Sequence, residues 1–371
     1  MIFDEGFSHD KGDILPLDTE TQIDIHSYHK YIIAFSGGKD STAIFLHLLD
    51  MGVDRSKIEL WHHEIDGREE EKNFMDWPIT TSYCKAFADA FGVPIYFSWK
   101  RGGFKGEMLR ENSRTAPAHF EDEDGNIHTV GGEGGKISTR RRYPQISGDL
   151  SVRWCSSSLK IDIFSSAICN QKRFNNSRTL VLSGERGEES PARSKYNTFE
   201  VDRADNRKKD SYTLVTKMVS SKGKSYEIQR LVEPGKDDRL VDRWRPIRDW
   251  SEKQVWEIIE RYRIRTHPAY EIGFSRVSCL FCIFGNKDQF FSAYQISPQQ
   301  GEEIIKYEKE FGCTIKRNES VTDLIRKGNP YPGLSNSELV EIARGKTYTL
   351  PIFIDTWTLP AGAFGKGCGP G

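Results

Sequence analysis

The sequence has no apolar run approaching the roughly 20 residues that would span a membrane. It also has no excess of either charge. The 53 Lys and Arg residues against 54 Asp and Glu leave a net charge of −1. That excludes a globally basic nucleic-acid binder, although a neutral total can hide a basic face. The opening residues Met1-Ile2-Phe3-Asp4-Glu5-Gly6 lack the basic-then-apolar layout of a secretory signal. The expected location is therefore the cytoplasm. Seven cysteines, an odd number at irregular spacing, give no disulfide framework. In a reducing compartment such cysteines read as metal-binding, catalytic or buried thiols. There are no internal repeats. At 371 residues the chain has room for a large core and for two domains.

What is present reads as alternating strands and helices. Tyr31-Ile32-Ile33-Ala34-Phe35, Ile58 to Ile65, Ile95-Tyr96-Phe97-Ser98 and Thr179-Leu180-Val181-Leu182-Ser183 are strand candidates. Helices are expected after residue 41, over Thr80 to Phe91 and near Leu159 to Cys169. Ser251 with Gln254 three residues on gives a capping-box start for a further helix. This order implies an α/β fold: a doubly wound, mostly parallel, Rossmann-like sheet with helices on both faces. The expected division is an N-terminal extension over 1–29, an α/β domain over 30–275 and a smaller, mainly helical region with a Gly-rich tail over 276–371. Within the α/β domain, residues 100–150 break the pattern with many glycines and charge patches, and read as an insertion or active-site flap.

The most telling segment is Ser36-Gly37-Gly38-Lys39-Asp40-Ser41, between the first strand and the first helix. A Gly-rich strand-to-helix turn is an anion site, because its backbone can approach a phosphate and helical N–H groups point at it. Lys39 adds a positive charge, the serines add hydroxyls, and Asp40 can hold Mg²⁺. The spacing differs from G-x-x-x-x-G-K-[ST], so this is not the ordinary P-loop. In parallel α/β sheets ligands bind beyond the carboxyl ends of the strands. There the loop should meet Glu64, Asp66 and Gly67 from the second strand, and Gly184-Glu185-Arg186 from the fourth.

The loop resembles the SGGxDS pyrophosphate loop of the PP-loop ATP pyrophosphatases. Ser183-Gly184-Glu185-Arg186-Gly187-Glu188-Glu189-Ser190-Pro191-Ala192-Arg193 resembles the GxRxxESxxR signature of PAPS reductase-like proteins, in the adenine nucleotide alpha hydrolase superfamily. Trp154-Cys155 through Lys160, and Arg245-Pro246 through His267-Pro268-Ala269-Tyr270, extend that resemblance over roughly residues 30 to 290. It implies ATP and Mg²⁺ as cofactors, with Lys39, Asp40 and Arg186 as catalytic residues. Ser36, Gly37, Gly38, Ser41, Asp66, Gly184, Glu189 and Arg193 would join them in binding the nucleotide. PAPS reductases usually carry a degraded loop without the lysine. A complete loop favours ATP cleavage and adenylation of an acceptor, as in the DndC-type sulfurtransferases of DNA phosphorothioation. PAPS or APS reduction, thiolation of tRNA or a small molecule, and a nucleotide sensor without chemistry stay open.

The resemblance also implies a role for Cys155 with Cys279 and Cys282, the C-x-x-C of Ser278-Cys279-Leu280-Phe281-Cys282. Three thiolates can hold a [4Fe–4S] cluster with one iron open, whereas a closed zinc site needs a fourth ligand. Cys84, Cys169, Cys313 and His267 are the candidates for that fourth place, with the first three otherwise read as core residues. The residues alone leave cluster, zinc and unrelated buried thiols open. Cys368 lies in the Gly-rich tail, where a thiol can reach the site or sit in a plain terminus. Expected partners are DNA or another nucleic acid and a sulfur donor such as a cysteine desulfurase, with other modification proteins possible and no membrane. The nucleic-acid contact would use Arg140, Arg141, Arg142 and Arg153, then Arg203, Arg207, Lys208 and Lys209, with Trp244 and Trp250 for stacking. The plainer reading of those charges is a solvated face. His62 and His63, on the second strand, read as structural.

Overall fold

The computed structural model describes residues 21–207, 212–219, 225–231 and 237–365. Lys208, Lys209, Cys368 and most of the expected N-terminal extension and Gly-rich tail lie outside the described residues. Strands β1 (Thr21–Ile23), β9 (Tyr212–Val219) and β10 (Ser225–Leu231) form a small sheet, with β10 central. The main sheet holds β2 (Lys30–Ala34), β3 (Ile58–Glu64), β4 (Ile95–Lys100), β5 (Ala118–Glu121) and β6 (Ile127–Val130). It is completed by β7 (Ser177–Leu182), β8 (Phe199–Val201) and β11 (Arg239–Trp244).

Its spatial order is β6-β5-β4-β3-β2-β7-β11-β8. The five inner strands, β4 to β11 in that order, run parallel. The edge strands β5, β6 and β8 pair antiparallel. The inner strands are mostly buried because both their faces are covered. β7 is buried at every residue and β2 at its three central ones. From β2 the chain winds outward through β3 and β4, then returns to lay β7 on the other side of β2. The strand order therefore reverses between β2 and β7, the place where parallel sheets bind ligands.

Helices α1 (Lys39–Asp50) and α2 (Thr80–Phe91) cover one face, with Ile44, Phe45 and Phe87 in the larger core. The opposite face carries Ile32, Trp61 and Val181 beneath Phe164 and Ile168 of a later helix. The chain reaches that helix through α3 (Gly103–Met108) and α4 (Trp154–Ser156). It then passes a turn of π geometry, Ser157–Ile161, before α5 (Asp162–Cys169). The Asp162 N–H bonds the Ser157 carbonyl, five residues back.

Beyond β11 the chain is helical: α6 (Glu252–Arg261), α7 (Pro268–Ile272), α8 (Lys287–Ile296), α9 (Pro298–Phe311), α10 (Val321–Lys327) and α11 (Ser337–Arg344). This helical region grips the α/β part directly. Tyr143 Oη donates to the Ile304 carbonyl at 3.0 Å, and Gln300 Nε2 to the Asp76 carbonyl at 3.0 Å.

Residues 100–150 depart from the expectation of a segment outside the core. They supply α3, β5 and β6, and bury Phe104, Met108, Phe120 and Tyr143. Their charges hide an interior cluster. The Glu107 side chain, 1% exposed, pairs with Lys100 at 3.6 Å, Arg110 at 3.2 Å and Arg140 at 2.9 Å. Burial works to raise the Glu107 carboxyl, but these cations hold it below its ordinary range.

The capping box forms as expected. Ser251 Oγ accepts from Gln254 N, and Gln254 Oε1 accepts from Ser251 N at 2.8 Å. Ser251→Ala should lower stability by about 1 kcal/mol, read as a lower denaturant midpoint with an unchanged slope.

Candidate functional site

The loop after β2 is shaped by close packing. Gly37 has φ +73, and a Cβ there would meet Cys84 Sγ at 3.0 Å and Tyr83 Cδ1 at 3.2 Å. Any side chain would push the turn off α2. Gly38 caps α1 without a side-chain hydrogen bond. Its N–H donates to Ser36 Oγ at 3.3 Å, and the Lys39 N–H donates to Tyr270 Oη at 2.9 Å. Ser41 Oγ donates to the Gly38 carbonyl at 3.0 Å and accepts from Ser36 N at 3.3 Å. Serine hydroxyls and the Tyr270 phenol thus fix the shape of the turn at the N-terminus of α1, the end of a helix that attracts anions.

The charges form one buried network. Lys39, 4% exposed, points its Nζ at Asp40 (3.2 Å) and Glu252 (3.9 Å). Burial opposes its charge, but Asp40, Tyr270 and Glu252 outweigh burial and raise the ammonium above its ordinary range. Asp40 accepts from Arg186 Nε at 2.6 Å. Burial would raise its carboxyl, yet Lys39 and Arg186 hold it low and anionic. Gly184, at the end of β7, lies against the same loop, where an added Cβ would sit 3.2 Å from Asp40 Cβ.

An open cavity of about 460 Å³ lies at this switch point. Ser36, Gly38, Asp40 and Ser41 line one part, with Gly184, Glu185, Glu189 and Arg193 beside them. Cys155, Cys279 and Cys282 line another part. Lys39, Gly37, Arg186 and Asp66 stand behind the lining. Arg186, 3% exposed, braces Asp40 and pairs with Glu188 at 2.7 Å. Arg193 pairs with Glu189, whose Oε2 also accepts from the Arg186 N–H at 3.0 Å.

Asp66 departs from its expected place among the ligand-binding groups. Its oxygens accept the N–H groups of Phe74 (2.9 Å), Met75 (2.9 and 3.1 Å) and Asp76 (2.8 Å). It is a loop clamp, and the sequence could not show that because the clamped N–H groups lie eight to ten residues on. The clamp brings Asp76 to the cavity, a residue the sequence reading missed. Burial, then the neighbouring Asp66, pushes the Asp76 carboxyl up to about 7.

Both His62 and His63 line the cavity. They point to opposite faces, as alternation requires. His62 lies against Cys84 of α2, and His63 against Phe164 of α5. Their place at the carboxyl end of β3 lets both reach the same space. Arg153, Lys160, Arg243 and Arg276 add positive charge to the lining. Arg140, Arg141, Arg203, Arg207 and Trp244, also expected at a nucleic acid, are engaged elsewhere. Arg140 is in the Glu107 cluster, and Arg141 pairs with Glu310 at 2.5 Å. Arg203 pairs with Asp162 at 2.9 Å, Arg207 pairs with Asp242 at 2.6 Å, and Trp244 is fully buried.

The three cysteines share a wall, and Cys155 and Cys279 each sense Cys282 electrostatically. Burial, then Cys282, pushes the Cys155 thiol up to about 11. Burial, then Asp76 and Cys282, raises Cys279 well above the thiol range. Among the described residues, no group of three or more His, Cys, Asp or Glu side chains is placed ready to hold a metal ion. None of the fourth-ligand candidates joins the wall. Cys84 packs behind Gly37, and His267 caps α7 by accepting from Ala269 N at 3.1 Å. Cys169, expected in the core, is exposed at the end of α5, and Cys313 is half-buried.

Residues 141–284 match the family model of the phosphoadenosine phosphosulfate reductase domain. The match covers less than half of the chain. It takes in Cys155, the 183–193 segment and the C-x-x-C, and begins beyond the Ser36–Ser41 loop. An uncharacterized 37.8 kDa protein in the gpa 5′ region of Escherichia phage 186 is 25% identical over 169 residues, 46% of this chain. The chain spans 41% of that curated relative. The Candida glabrata FMN adenylyltransferase in complex with FAD and inorganic pyrophosphate is similar at a TM-score of 0.35 and 11% identity, over 90% of this chain and 81% of that one. The same enzyme with FMN and the ATP analogue AMPCPP gives 0.34 and 9%, over 91% and 82%. No helix among the described residues is long and apolar enough to cross a membrane.

Burial pushes His63 down to about 3, far below the ordinary value near 6.5. Between those values the unfolded chain binds a proton that the native state refuses. The neutral ring is therefore a stabilising feature that is lost as pH falls from about 6.5 toward 3. His63→Gln should make stability less pH-dependent between pH 4 and 6, by about 1.4 kcal/mol per pH unit. Denaturant titrations at several pH values check this.

Proposed function

We propose that the chain is an ATP pyrophosphatase that adenylates an acceptor for sulfur transfer. One observation carries this reading: the loop after β2, the Gly184–Arg193 segment after β7 and the three cysteines meet in one cavity at the sheet's switch point. The match of residues 141–284 to the phosphoadenosine phosphosulfate reductase domain supports a nucleotide with a sulfur-related reaction.

In this reading the helix N-terminus and the Ser36–Ser41 turn bind the β- and γ-phosphates. Asp40, kept anionic, is the residue that would hold Mg²⁺, which supplies charge neutralisation to the phosphates. An acceptor oxygen attacks the α-phosphorus, the bond to the bridging oxygen breaks, and pyrophosphate leaves. Lys39, now shared between Asp40 and Glu252, turns to the leaving group and stabilises its growing charge. Arg186 acts through Asp40, as its brace. Arg193 and Glu189 line the space beside the phosphates. A sulfur nucleophile then attacks the adenylated centre, and AMP departs with the acceptor's oxygen.

The finer reading takes a DNA backbone phosphate as acceptor, yielding a phosphorothioate, with a cysteine desulfurase as sulfur source. The resemblance to DndC-type enzymes supports it, as does the positive charge of Arg153, Lys160 and Arg276 on the cavity wall. Cys155, Cys279 and Cys282 are the residues that would hold a [4Fe–4S] cluster, or zinc, for sulfide handling. The domain match favours one other reading, reduction of PAPS or APS, which would release sulfite with a thiol donor.

Lys39→Ala should abolish ATP-dependent pyrophosphate release while circular dichroism stays unchanged. Release at the wild-type rate would remove the loop from the chemistry. For the cluster, anaerobically purified protein should contain iron and acid-labile sulfide. Cys155→Ser, Cys279→Ser or Cys282→Ser should each lose it and Cys84→Ser should not. Iron-free wild-type protein would leave the ATP chemistry without a cluster.

A further inference from the structure

The lysine that the reading above gives to the leaving group is held away from the cavity. Lys39 does not line it, and its side chain is 5% exposed. It is the first residue of α1, at the positive end of the helix dipole, a poor place for a cation. Two carboxylates offset that: Asp40 at 3.2 Å and Glu252 at 3.9 Å. The two differ. Asp40 is the next residue in the chain, lines the cavity, and is already matched by Arg186 Nε at 2.6 Å. Glu252 comes from the start of α6 and is not part of the lining.

Glu252 is fixed without help from the lysine. It is the first residue of α6, where a carboxylate suits the helix dipole, and the capping box of Ser251 and Gln254 sets that start. Its Oε1 accepts from Trp256 Nε1 at 3.1 Å and from the Phe364 N–H at 3.4 Å. Trp256 is 2% exposed, so its indole N–H needs that acceptor. Phe364 is seated by its neighbour Gly362, whose N–H donates to the Tyr270 carbonyl at 2.8 Å and where any side chain would collide with the Phe274 carbonyl. The lysine, by contrast, moves its charge on a flexible four-carbon stem. If Asp40 turns to Mg²⁺, Glu252 is the carboxylate that still faces the ammonium.

We propose that Glu252 is a positioning residue that draws the Lys39 ammonium back from the cavity, so that a phosphate chain fills the turn only by taking the lysine from it. This rests on the reading of Ser36–Ser41 as the phosphate site and adds to it the group against which the phosphates compete. Such a contact opposes binding. Removing its charge therefore strengthens binding, the opposite of what loss of structural support would do.

Calorimetric titration with inorganic pyrophosphate and Mg²⁺ at fixed ionic strength tests it. The proteins are wild type, Glu252→Gln, Lys39→Ala and the double variant. Glutamine keeps the oxygen that Trp256 and Phe364 bond and removes only the charge. Glu252→Gln should bind pyrophosphate about fivefold more tightly than wild type. In the Lys39→Ala background the same change should alter affinity less than about twofold, because the two groups are coupled. Tightening of equal size in both backgrounds would be the general effect of one negative charge fewer, and overturns the role of Glu252. Unchanged or weaker binding by Glu252→Gln overturns it too. If Lys39→Ala nevertheless weakens binding, the phosphate-binding turn stands. If wild type binds no pyrophosphate, or Lys39→Ala binds it as wild type does, both readings fall.

Discussion

The Arg186–Asp40 pair is the constraint on which the site depends. It spans the switch point, joining the turn that starts α1 to the segment that leaves β7. Both charges are largely enclosed, so neither can be removed alone without stranding the other, at roughly 3–5 kcal/mol for such pairs. The pair is also the hub of a larger network. Glu188 receives Arg186 and also the N–H of Glu252 at 2.8 Å, while Glu252 faces Lys39 and accepts from Trp256 Nε1 at 3.1 Å. The first residue of α6 is thereby coupled to the first residue of α1. An anion entering the turn would meet a lysine already charged and held between two carboxylates.

The basic residues divide into two populations that look alike in the sequence. Arg140, Arg141 and Arg207 are struts, each matched to a carboxylate, and they fasten the 100–150 segment and β11. Arg153 faces the cavity beside Phe284, 5.9 Å from that ring. An Arg-Arg-Arg run is thus a poor guide to an anion site. What separates the populations is whether each guanidinium meets a carboxylate from another part of the chain, which only the fold decides.

Four of the five parallel strands, β2, β3, β4 and β7, and α2 were legible because apolar runs, glycines and caps are local signals. The loop was legible for the same reason. β11 was not, because Arg239-Leu240-Val241-Asp242-Arg243-Trp244 alternates charge with apolar residues and reads as surface. Asp242 is fully buried there, matched by Tyr28 at 2.7 Å and by Arg207 at 2.6 Å, partners 214 and 35 residues away. Within the site, residues contributed by motifs could be read, but their division of labour could not. Arg186 and Asp66 carry the right chemistry for ligands and use it on the protein. Strand alternation told which face His62 and His63 each take, and not that both reach the cavity at the end of β3.

The π turn at Ser157–Ile161 has a consequence for how this site can change. In a regular α-helix, residues five apart sit about 140° from each other around the axis. Cys155 and Lys160 are five apart, yet both line the same cavity. The widened turn between them, closed by a bond across five residues, takes up that angular difference. Such a turn is one residue longer than the helix needs. Alignment of thiol and ammonium is therefore encoded by the geometry of the turn as well as by side-chain identity. Were the turn to take regular α geometry at unchanged length, both chemical groups and the helix would remain but one would rotate away from the other by about 100°, whereas deleting one residue would leave them four apart, about 40°, on one face. In related chains, a gap of one residue here would be compatible with the same pairing on a regular helix, so the widened turn is one of two backbones that present this thiol and ammonium together.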